Sequence, residues 1–139
     1  MATSLQVALI TPKAQKADMF ADALIAPTIV GQVTILPGHA AFLTILEAGA
    51  IVIRGEGGAS TFFTAGGLLE VQKDRALLLL QSAERLEDID ATRAEQELAA
   101  AQSRMAQLSG PEHAEYAKQS QRLKRALARM ELLRTSIGA

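Results

Sequence analysis

The segment SAERLEDIDATRAEQEL, residues 82–98, contains the point at which the chain changes from one kind of secondary structure to another. Eight of the ten glycines and all five valines precede it. Charged residues number 14 in the first 87 positions and 15 in the remaining 52. Glycine and β-branched residues favour turns and strands, whereas alanine and long charged side chains favour helices. The sequence therefore predicts an all-β domain over residues 1–87 and an all-α domain over residues 88–139.

The first part reads as many short strands separated by turns. Leu5, Val7 and Leu9 alternate with less apolar residues, which is the period of a half-buried strand. Turn signals follow at short intervals, among them Pro37-Gly38, the GEGG stretch 55–58 and Lys73-Asp74. Strands at such spacing indicate a β-sandwich or barrel. Further strands are expected at residues 21–26, 32–36, 50–54, 60–64, 68–72 and 75–81.

The second part reads as a helical hairpin. Apolar residues recur every three or four positions and line one stripe of a first helix, which Asp88 or Asp90 can cap. Ser109-Gly110-Pro111 interrupts the pattern, and Pro111 suits the first turn of a second helix from about 112 to 136. The first stripe is Ala91, Ala94, Leu98, Ala101, Met105 and Leu108, and the second is Tyr116, Leu123, Leu127, Met130 and Leu133.

Composition excludes several classes of protein. The chain has 139 residues, a formal charge of −1 and no cysteine, which excludes a disulfide scaffold and thiolate metal sites. No apolar run approaches the length that spans a bilayer, and the first twenty residues do not resemble a signal or transit peptide. A sequence pI of about 6.1 argues against a dedicated nucleic-acid binder.

The sequence offers no set of residues for catalysis. His39 and His113 are the only histidines, and neither has a second histidine or paired carboxylates at metal-ligand spacing. The GEGG stretch lacks the Lys-Ser/Thr that follows a phosphate-binding loop, so a hairpin turn is expected there. We therefore predict no catalytic residue, no metal site and no enzymatic activity of the chain alone.

A basic series on the second helix has two readings. Lys118, Arg122, Arg125 and Arg129 are spaced by 4, 3 and 4 residues and share one helical face. Residues 112–139 carry a net charge of +3 and residues 88–110 a net charge of −2. The series is either a solvated face that pairs with the first helix or a site for an anion or an acidic partner.

Three stretches together resemble the epsilon subunit of the proton-translocating ATP synthase. They are GQVTILPGHAAFLTILEAGAIVI (31–53), FFTAGGLLEVQKD (62–74) and the opening segment 82–98. The resemblance implies a sandwich of about ten strands followed by two C-terminal helices. It also implies a non-catalytic rotor subunit of the central stalk that couples proton translocation to ATP synthesis, with the gamma subunit and the c ring as partners.

The same resemblance implies a regulatory role for the helices. In many members the hairpin either folds against the sandwich or extends along gamma toward the alpha and beta subunits, and the extended state inhibits ATP hydrolysis. The basic series Lys118, Arg122, Arg125 and Arg129 would then meet acidic loops. Helices that pack through alanine are held together weakly, because each Ala in place of Leu removes three carbons and each buried CH₂ contributes about 0.8 kcal/mol. Two arrangements of similar free energy follow.

Some members bind ATP on the folded hairpin, and the alternative function is an ATP-sensing module. Here residues 89–94 match the I/L-D-x-x-R-A motif of those members, and no other cofactor is expected. The other reading is that Asp90 caps the helix and Arg93 packs at the junction. The expected ATP-binding residues are Glu84, Ile89, Asp90, Arg93, Ala94, Arg122 and Arg125.

The resemblance further implies an interface around the ILPGHA turn. Gln32 stands where many members carry a glutamate that faces the c ring, so hydrogen bonding replaces charge pairing there. The residues expected to contact gamma or the c ring are Gln32, Pro37, Gly38, His39 and Phe42, although composition alone favours a structural histidine at position 39. The expected location is peripheral, at the cytoplasmic face of a bacterial inner membrane in preference to a plastid thylakoid.

Overall fold

The computed structural model describes residues 4–137, and the chain divides into two compact units, Met1–Glu87 and Asp88–Ala139. Within residues 4–137, ten strands followed by two helices confirm the expected fold class. A single 3-10 turn, Leu86–Asp88, follows the last strand. The strands are β1 (Leu5–Ile10), β2 (Gln15–Ala21), β3 (Ala23–Thr28), β4 (Gly31–Ile35), β5 (Phe42–Leu46), β6 (Gly49–Gly55), β7 (Gly58–Thr64), β8 (Gly67–Gln72), β9 (Arg75–Leu80) and β10 (Glu84–Arg85).

The strands form one sheet that folds on itself around an apolar core. Their order is β10-β7-β6-β3-β5-β8-β9-β1-β2, with β4 paired to β3. The β1–β9 pair is parallel, and a single residue pair, Thr28 with Leu46, joins β3 to β5. Side chains from both sides of this junction share one core, among them Leu5, Leu9, Leu24, Ile35, Ile51, Phe62, Leu69 and Leu78. The sheet therefore forms the two layers of a sandwich.

Alternation in β1 is confirmed, since Leu5, Val7 and Leu9 are fully buried. The strand expected at residues 21–26 corresponds to β3, Ala23–Thr28, but its bounds are wrong, because Ala21 is the last residue of β2. Between them the Asp22 N–H donates to the Arg54 carbonyl at 2.7 Å. Neither β2 nor β5 was predicted individually, because β2 is a charged edge strand and β5 is apolar on both faces.

Two hairpin turns follow their sequence signals. Gly55 pairs with Gly58 to close the β6–β7 hairpin, which confirms the turn expected at GEGG. Gln72 pairs with Arg75 to close the β8–β9 hairpin. The backbone between that pair is left-handed, because Lys73 has a φ of 50° and Asp74 a φ of 60°. These values are typical of a type I′ turn, whose twist matches that of the strands.

The second unit contains two helices, α1 (Ala91–Ala106) and α2 (Tyr116–Ile137). The start expected for α2 at position 112 is wrong, and Pro111 lies in the connecting turn. There the His113 N–H donates to the Gly110 carbonyl and the Tyr116 N–H to the His113 carbonyl, each at 3.0 Å. These bonds use the backbone groups that an earlier helix start would need.

Fewer residues of the two predicted apolar stripes are buried than the sequence indicated. Ala94 and Ala101 are buried in α1, and Ala126 and Leu133 in α2. Two expected members of the stripes are exposed: Ala91 in the first turn of α1, and Leu127, whose exposed fraction is 47%. Leu108 lies beyond the end of α1. Position 126 shares a face with positions 129 and 133 at helical spacing, whereas position 127 is turned away from that face.

Candidate functional site

The ILPGHA turn is a rigid feature between β4 and β5. The His39 N–H donates to the Leu36 carbonyl at 3.1 Å, which closes the turn over Pro37 and Gly38. Gly38 has a φ of 86°, a conformation that glycine adopts without the steric cost a side chain would add. The sequence signal Pro37-Gly38 thus corresponds to a proline that fixes one turn position and a glycine that permits the next.

Asp74 ties this turn to a distant hairpin. Its Oδ1 accepts the Gly38 N–H at 2.6 Å, and its carbonyl accepts the Gln6 N–H at 2.9 Å. One residue of the β8–β9 turn therefore holds both the 36–42 loop and the start of β1. Residue 74 was expected to be in a turn but not to belong to this site, since no local pattern shows which backbone N–H a distant carboxylate accepts.

Two contacts fix the position of the His39 ring. Its Nδ1 lies 2.7 Å from the Ala40 carbonyl, so Nδ1 carries the proton and donates it. The ring packs against Phe42 with centroids 5.6 Å apart and planes inclined by 55°. This geometry fixes the histidine as part of the loop surface, with its other ring nitrogen available to a hydrogen-bonding partner.

The residues expected at the gamma or c-ring interface fall into two places. Pro37, Gly38, His39 and Phe42 lie together in the 36–42 loop or at its end. Gln32 is exposed near the other end of β4, opposite Pro27 of β3. Four steps along the chain, from Gln32 to Leu36, separate the two places by about 13 Å at the usual rise of a strand.

An exposed apolar face lies on β5, β8 and β9 and was missed from the sequence. We call it the leucine face. The signal was available in the unbroken apolar run of residues 76–80, because a strand with one solvated face alternates and a strand covered on both faces does not. Its four most exposed members are Leu43 at 69%, Ile45 at 51%, Leu68 at 45% and Leu79 at 46%.

Asp90 caps the first helix. Its side-chain Oδ1 accepts the Arg93 N–H at 3.2 Å, and its backbone is extended, as expected of an N-cap residue. The Arg93 side chain is 77% exposed and its Nε lies 3.1 Å from Glu97 Oε1. Ile89 is half-buried and Ala94 is buried. The I-D-x-x-R-A segment therefore begins α1 and presents one exposed guanidinium.

Glu97 connects the two helices. Besides Arg93 it contacts Arg129, whose Nη1 lies 3.1 Å from Glu97 Oε2 and whose side chain is only 17% exposed. The basic residue of α2 that lies beside the I-D-x-x-R-A segment is therefore Arg129. Arg125 and Arg122 lie about 6 and 10 Å farther along α2 at 1.5 Å per residue.

The other three members of the basic series differ in exposure. Lys118 and Arg122 are exposed and Arg125 is half-buried. The Arg122 Nη1 donates to Gln119 Oε1 at 3.4 Å. Glu84, expected with the ATP-binding residues, lies in β10 opposite Phe63 of β7, in the first unit. The structure therefore unites Asp90, Arg93 and Ala94 at one end of α1, and it places Arg122 and Arg125 toward the other end of the hairpin.

A second ion pair closes the hairpin near its loop. Arg104 of α1 contacts Glu115 just before α2, with Nε and Oε2 3.0 Å apart. This hydrogen bond and the positive charge of Arg104 lower the pKa of Glu115 below its ordinary value of 4.5. The Glu115 N–H donates to His113 Nδ1 at 3.1 Å, so this histidine carries its proton on the other nitrogen.

Two further observations concern only the part of the chain that the structure describes. Residues 4–137 contain no group of three or more His, Asp or Glu side chains placed to hold a metal ion. Neither of the helices described there is long and apolar enough to cross a membrane.

Comparison with known proteins gives consistent matches along the chain. Residues 4–86 match the beta-sandwich domain of the ATP synthase Delta/Epsilon chain, and residues 87–133 match its long alpha-helix domain. An ATP synthase epsilon chain from Synechococcus sp. (strain WH7803) is 37% identical over 129 residues, which is 92% of this chain and 95% of the relative. One from Trichlorobacter lovleyi is 33% identical over 132 residues, which is 95% of each chain.

Two solved assemblies contain chains of similar fold. A chain of the Euglena gracilis mitochondrial ATP synthase (OSCP/F1/c-ring) superposes with a TM-score of 0.80 at 20% identity, covering 99% of this chain and 83% of that one. A chain of the Tetrahymena thermophila mitochondrial ATP synthase (central stalk/c-ring) superposes with a TM-score of 0.63 at 16% identity, covering 93% and 96%. At these identities the likeness concerns the fold.

Proposed function

Because the chain belongs to the epsilon-chain family of F-type ATP synthases, we propose that it joins the gamma subunit to the c ring in the central stalk. In this position it couples proton translocation to ATP synthesis. It is a non-catalytic subunit, so its task is mechanical. It acts peripherally to the membrane, at the cytoplasmic face in a bacterium.

The observation that carries the coupling role is the hydrogen bond from the Gly38 N–H to Asp74 at 2.6 Å. A part that transmits torque must not yield at its contact surface. The 36–42 loop is held at its own ends by β4 and β5, and at its centre by the β8–β9 hairpin. Behind it, the apolar core includes side chains that are fully buried, such as Ile35 and Leu69. The loop is thus a rigid projection suited to a load-bearing contact with the c ring.

The coupling role is tested by co-purification. Full-length chain is mixed with gamma and with isolated c ring, and stable complexes are measured by size-exclusion chromatography. His39→Ala, which removes the half-buried ring and its contact with Phe42, should weaken c-ring association. Thr34→Ala, at an exposed position of β4, is the matched control. Wild-type chain that binds neither partner would refute the proposal.

The second part of the proposal is that the two helices inhibit ATP hydrolysis by leaving the compact hairpin and extending toward the alpha and beta subunits. Small residues, Ala94, Ala101 and Ala126, occupy buried positions of the hairpin. The Glu97–Arg129 and Arg104–Glu115 pairs add salt-sensitive contacts. Both kinds of contact are individually weak, so the compact and extended arrangements can differ by only a few kcal/mol.

Inhibition is tested with the assembled enzyme. ATP hydrolysis is compared for complexes that contain full-length chain and chain truncated after Glu87, at equal occupancy of the subunit. Truncation should raise hydrolysis several-fold, and replacing the exposed cations Lys118 and Arg122 by Gln should raise it in part. Equal hydrolysis rates for complexes with the full-length, truncated and Gln-substituted chains would contradict inhibition and leave the stalk role unaffected.

A second candidate function is ATP sensing by the hairpin. The exposed guanidinium of Arg93 near the start of α1 favours it, because an arginine can donate to phosphate oxygens. Arg129 is a second cation nearby, because it and Arg93 both contact Glu97. Titration calorimetry of the full chain with MgATP should then show binding that Arg93→Gln abolishes and Arg134→Gln leaves unchanged. No heat at millimolar MgATP with an intact fold would remove this candidate.

A further inference from the structure

One carboxylate of the helical hairpin lies between two arginines. The Oε1 of Glu97 lies 3.1 Å from the Nε of Arg93, which is one turn earlier in α1. Its Oε2 lies 3.1 Å from the Nη1 of Arg129 in α2. Each oxygen of the carboxylate therefore accepts from a different guanidinium, and one of the two contacts joins the helices. We call these three side chains the Glu97 bridge.

The Glu97 bridge lies along the line of contact between the two helices. Glu97 is three residues after Ala94 and four before Ala101, and both alanines are buried. In α2, Arg129 is three residues after Ala126, which is buried as well. Residues three and four apart share one face of a helix, so the carboxylate and the guanidinium lie on the packed faces. The Arg129 side chain is consequently only 17% exposed.

The Glu97 carboxylate makes the contacts that a phosphate group would make. Phosphate oxygens accept hydrogen bonds from guanidinium groups, and the planar guanidinium of arginine suits such contacts. Glu97 already engages one donor of Arg93 and one donor of Arg129, and its negative charge offsets one of their two positive charges. A phosphate compound from solution must therefore displace Glu97 before it can contact both arginines.

We propose that Glu97 is a built-in anion that holds the hairpin compact without a bound phosphate compound, and that phosphate compounds compete with it for Arg93 and Arg129. This inference rests on the compact hairpin of the proposed function, and it names a contact that keeps the hairpin closed. The residue at position 97 then sets the affinity for phosphate. The three side chains carry a net charge of +1 with glutamate, and glutamine at position 97 would raise it to +2.

Glutamine at position 97 separates the effect of charge from that of shape. Glu97→Gln keeps the length of the side chain and one acceptor oxygen, but it removes the negative charge. Arg129 then loses a charged contact at a mostly buried position, where charges are screened less than at an exposed surface. Glu95→Gln is the matched control, because Glu95 is an exposed carboxylate of the same helix.

The first measurement is thermal unfolding of the helices in the full-length chain, followed by circular dichroism at 222 nm in a low-salt buffer without phosphate. Glu97→Gln should lower the midpoint by about 4 °C, and the difference from wild type should shrink at high salt. Glu95→Gln should leave the midpoint within about 1 °C of wild type. Equal midpoints for Glu97→Gln and wild type would overturn the stabilising role of Glu97.

The second measurement is titration calorimetry of the same proteins with inorganic pyrophosphate, which has the chemistry of phosphate without a nucleoside. Glu97→Gln should bind pyrophosphate about tenfold more tightly than wild type, because no carboxylate then competes for the two arginines. The double substitution Glu97→Gln and Arg93→Gln should remove this gain. Equal affinity in Glu97→Gln and wild type, or a gain that persists in the double variant, would overturn the competition.

ATP hydrolysis by the assembled enzyme separates this proposal from the function it rests on. The double variant lacks both the carboxylate and one phosphate-binding cation, so its hairpin should extend more often and hydrolysis should fall about twofold. Wild-type hydrolysis rates in the double variant and after truncation at Glu87 would contradict inhibition and leave the Glu97 bridge standing. Truncation that raises hydrolysis, while Glu97→Gln changes neither the midpoint nor the pyrophosphate affinity, would overturn the Glu97 bridge alone.

Discussion

The carboxylate of Asp74 accepts the backbone N–H of Gly38 at 2.6 Å, across 36 residues of sequence. Both residues have left-handed backbone conformations, with φ values of 60° and 86°. A tight turn of the β4–β5 loop is thus joined to the turn of the β8–β9 hairpin. Asp74 also accepts the Gln6 N–H through its carbonyl, so it holds the 36–42 loop and the start of β1 together.

Removal of the Asp74 carboxylate should loosen the 36–42 loop. Asp74→Gly keeps a residue that tolerates the left-handed backbone but deletes the acceptor. Hydrogen exchange of the Gly38 amide should become about tenfold faster, since a hydrogen bond to a charged acceptor contributes about 1.5–3 kcal/mol when fully formed and less when exposed. Asp74→Asn keeps both the acceptor and the backbone preference, so its exchange should stay near that of wild type. Equal rates in all three proteins would show that the loop is held by other contacts.

Close packing of β8 on β9 should make Gly67 intolerant of a side chain. A Cβ at this position would lie 2.1 Å from the Leu79 carbonyl oxygen, so the strands must separate. Gly67→Ala should lower the free energy of unfolding by about 3 kcal/mol. The measurement is urea unfolding followed by NMR of core methyl groups of the sandwich.

Gly57→Ala provides the comparison for that substitution. Nothing lies within 4 Å of a Cβ at Gly57, so this variant should change the free energy of unfolding by less than about 0.5 kcal/mol. Equal effects at the two positions would contradict the strand spacing described for β8 and β9.

The helical hairpin should resist enlargement of its buried alanines. Ala101 is fully buried, and it shares a face of α1 with Glu97 and Arg104, both of which contact residues from the other side of the hairpin. Ala101→Leu should destabilise the compact hairpin by about 1–3 kcal/mol, visible in thermal unfolding at 222 nm. The neighbouring Ala100 is exposed, and Ala100→Leu should leave the transition within experimental error. If Ala100→Leu destabilised the hairpin more than Ala101→Leu, the contact between the helices would lie on a different face of α1 from the one described.

The stability of the hairpin should depend on pH through Glu115. Its pKa lies below 4.5 because of Arg104, so the folded hairpin binds a proton less readily than the unfolded chain. The stabilisation is present above about pH 4.5 and is lost as the pH falls through the lowered pKa. Glu115→Gln should therefore reduce the helical unfolding temperature at pH 7, and its difference from wild type should vanish in acid.

Glu112→Gln is the control for the pH experiment, since it alters a carboxylate in the same turn. Its unfolding temperature should follow that of wild type with pH. A Glu115→Gln protein whose difference from wild type persists unchanged at pH 3 would show that the effect is not electrostatic.

Local chemistry accounts for the features that could be predicted. The change of composition near residue 87, the period of β1, the GEGG hairpin and the cap at Asp90 each depend on neighbouring residues. The helix ends were predicted less accurately than these features, because the start of α2 depends on hydrogen bonds within the 110–116 turn. For the candidate site, the sequence indicated Pro37, Gly38 and His39 as a unit, because their turn is closed within four residues.

By itself, the sequence determined a β-sandwich followed by two helices and the resemblance that identifies the family, because strand period, turn residues and helix caps act over a few positions. Tertiary structure alone decided which surfaces result. It selected Asp74 as the acceptor for Gly38, placed Arg129 beside Glu97, and turned Leu79 outward while Leu78 faces the core. Each of these depends on strand or helix register between distant segments, and register is fixed by the packing of the whole unit.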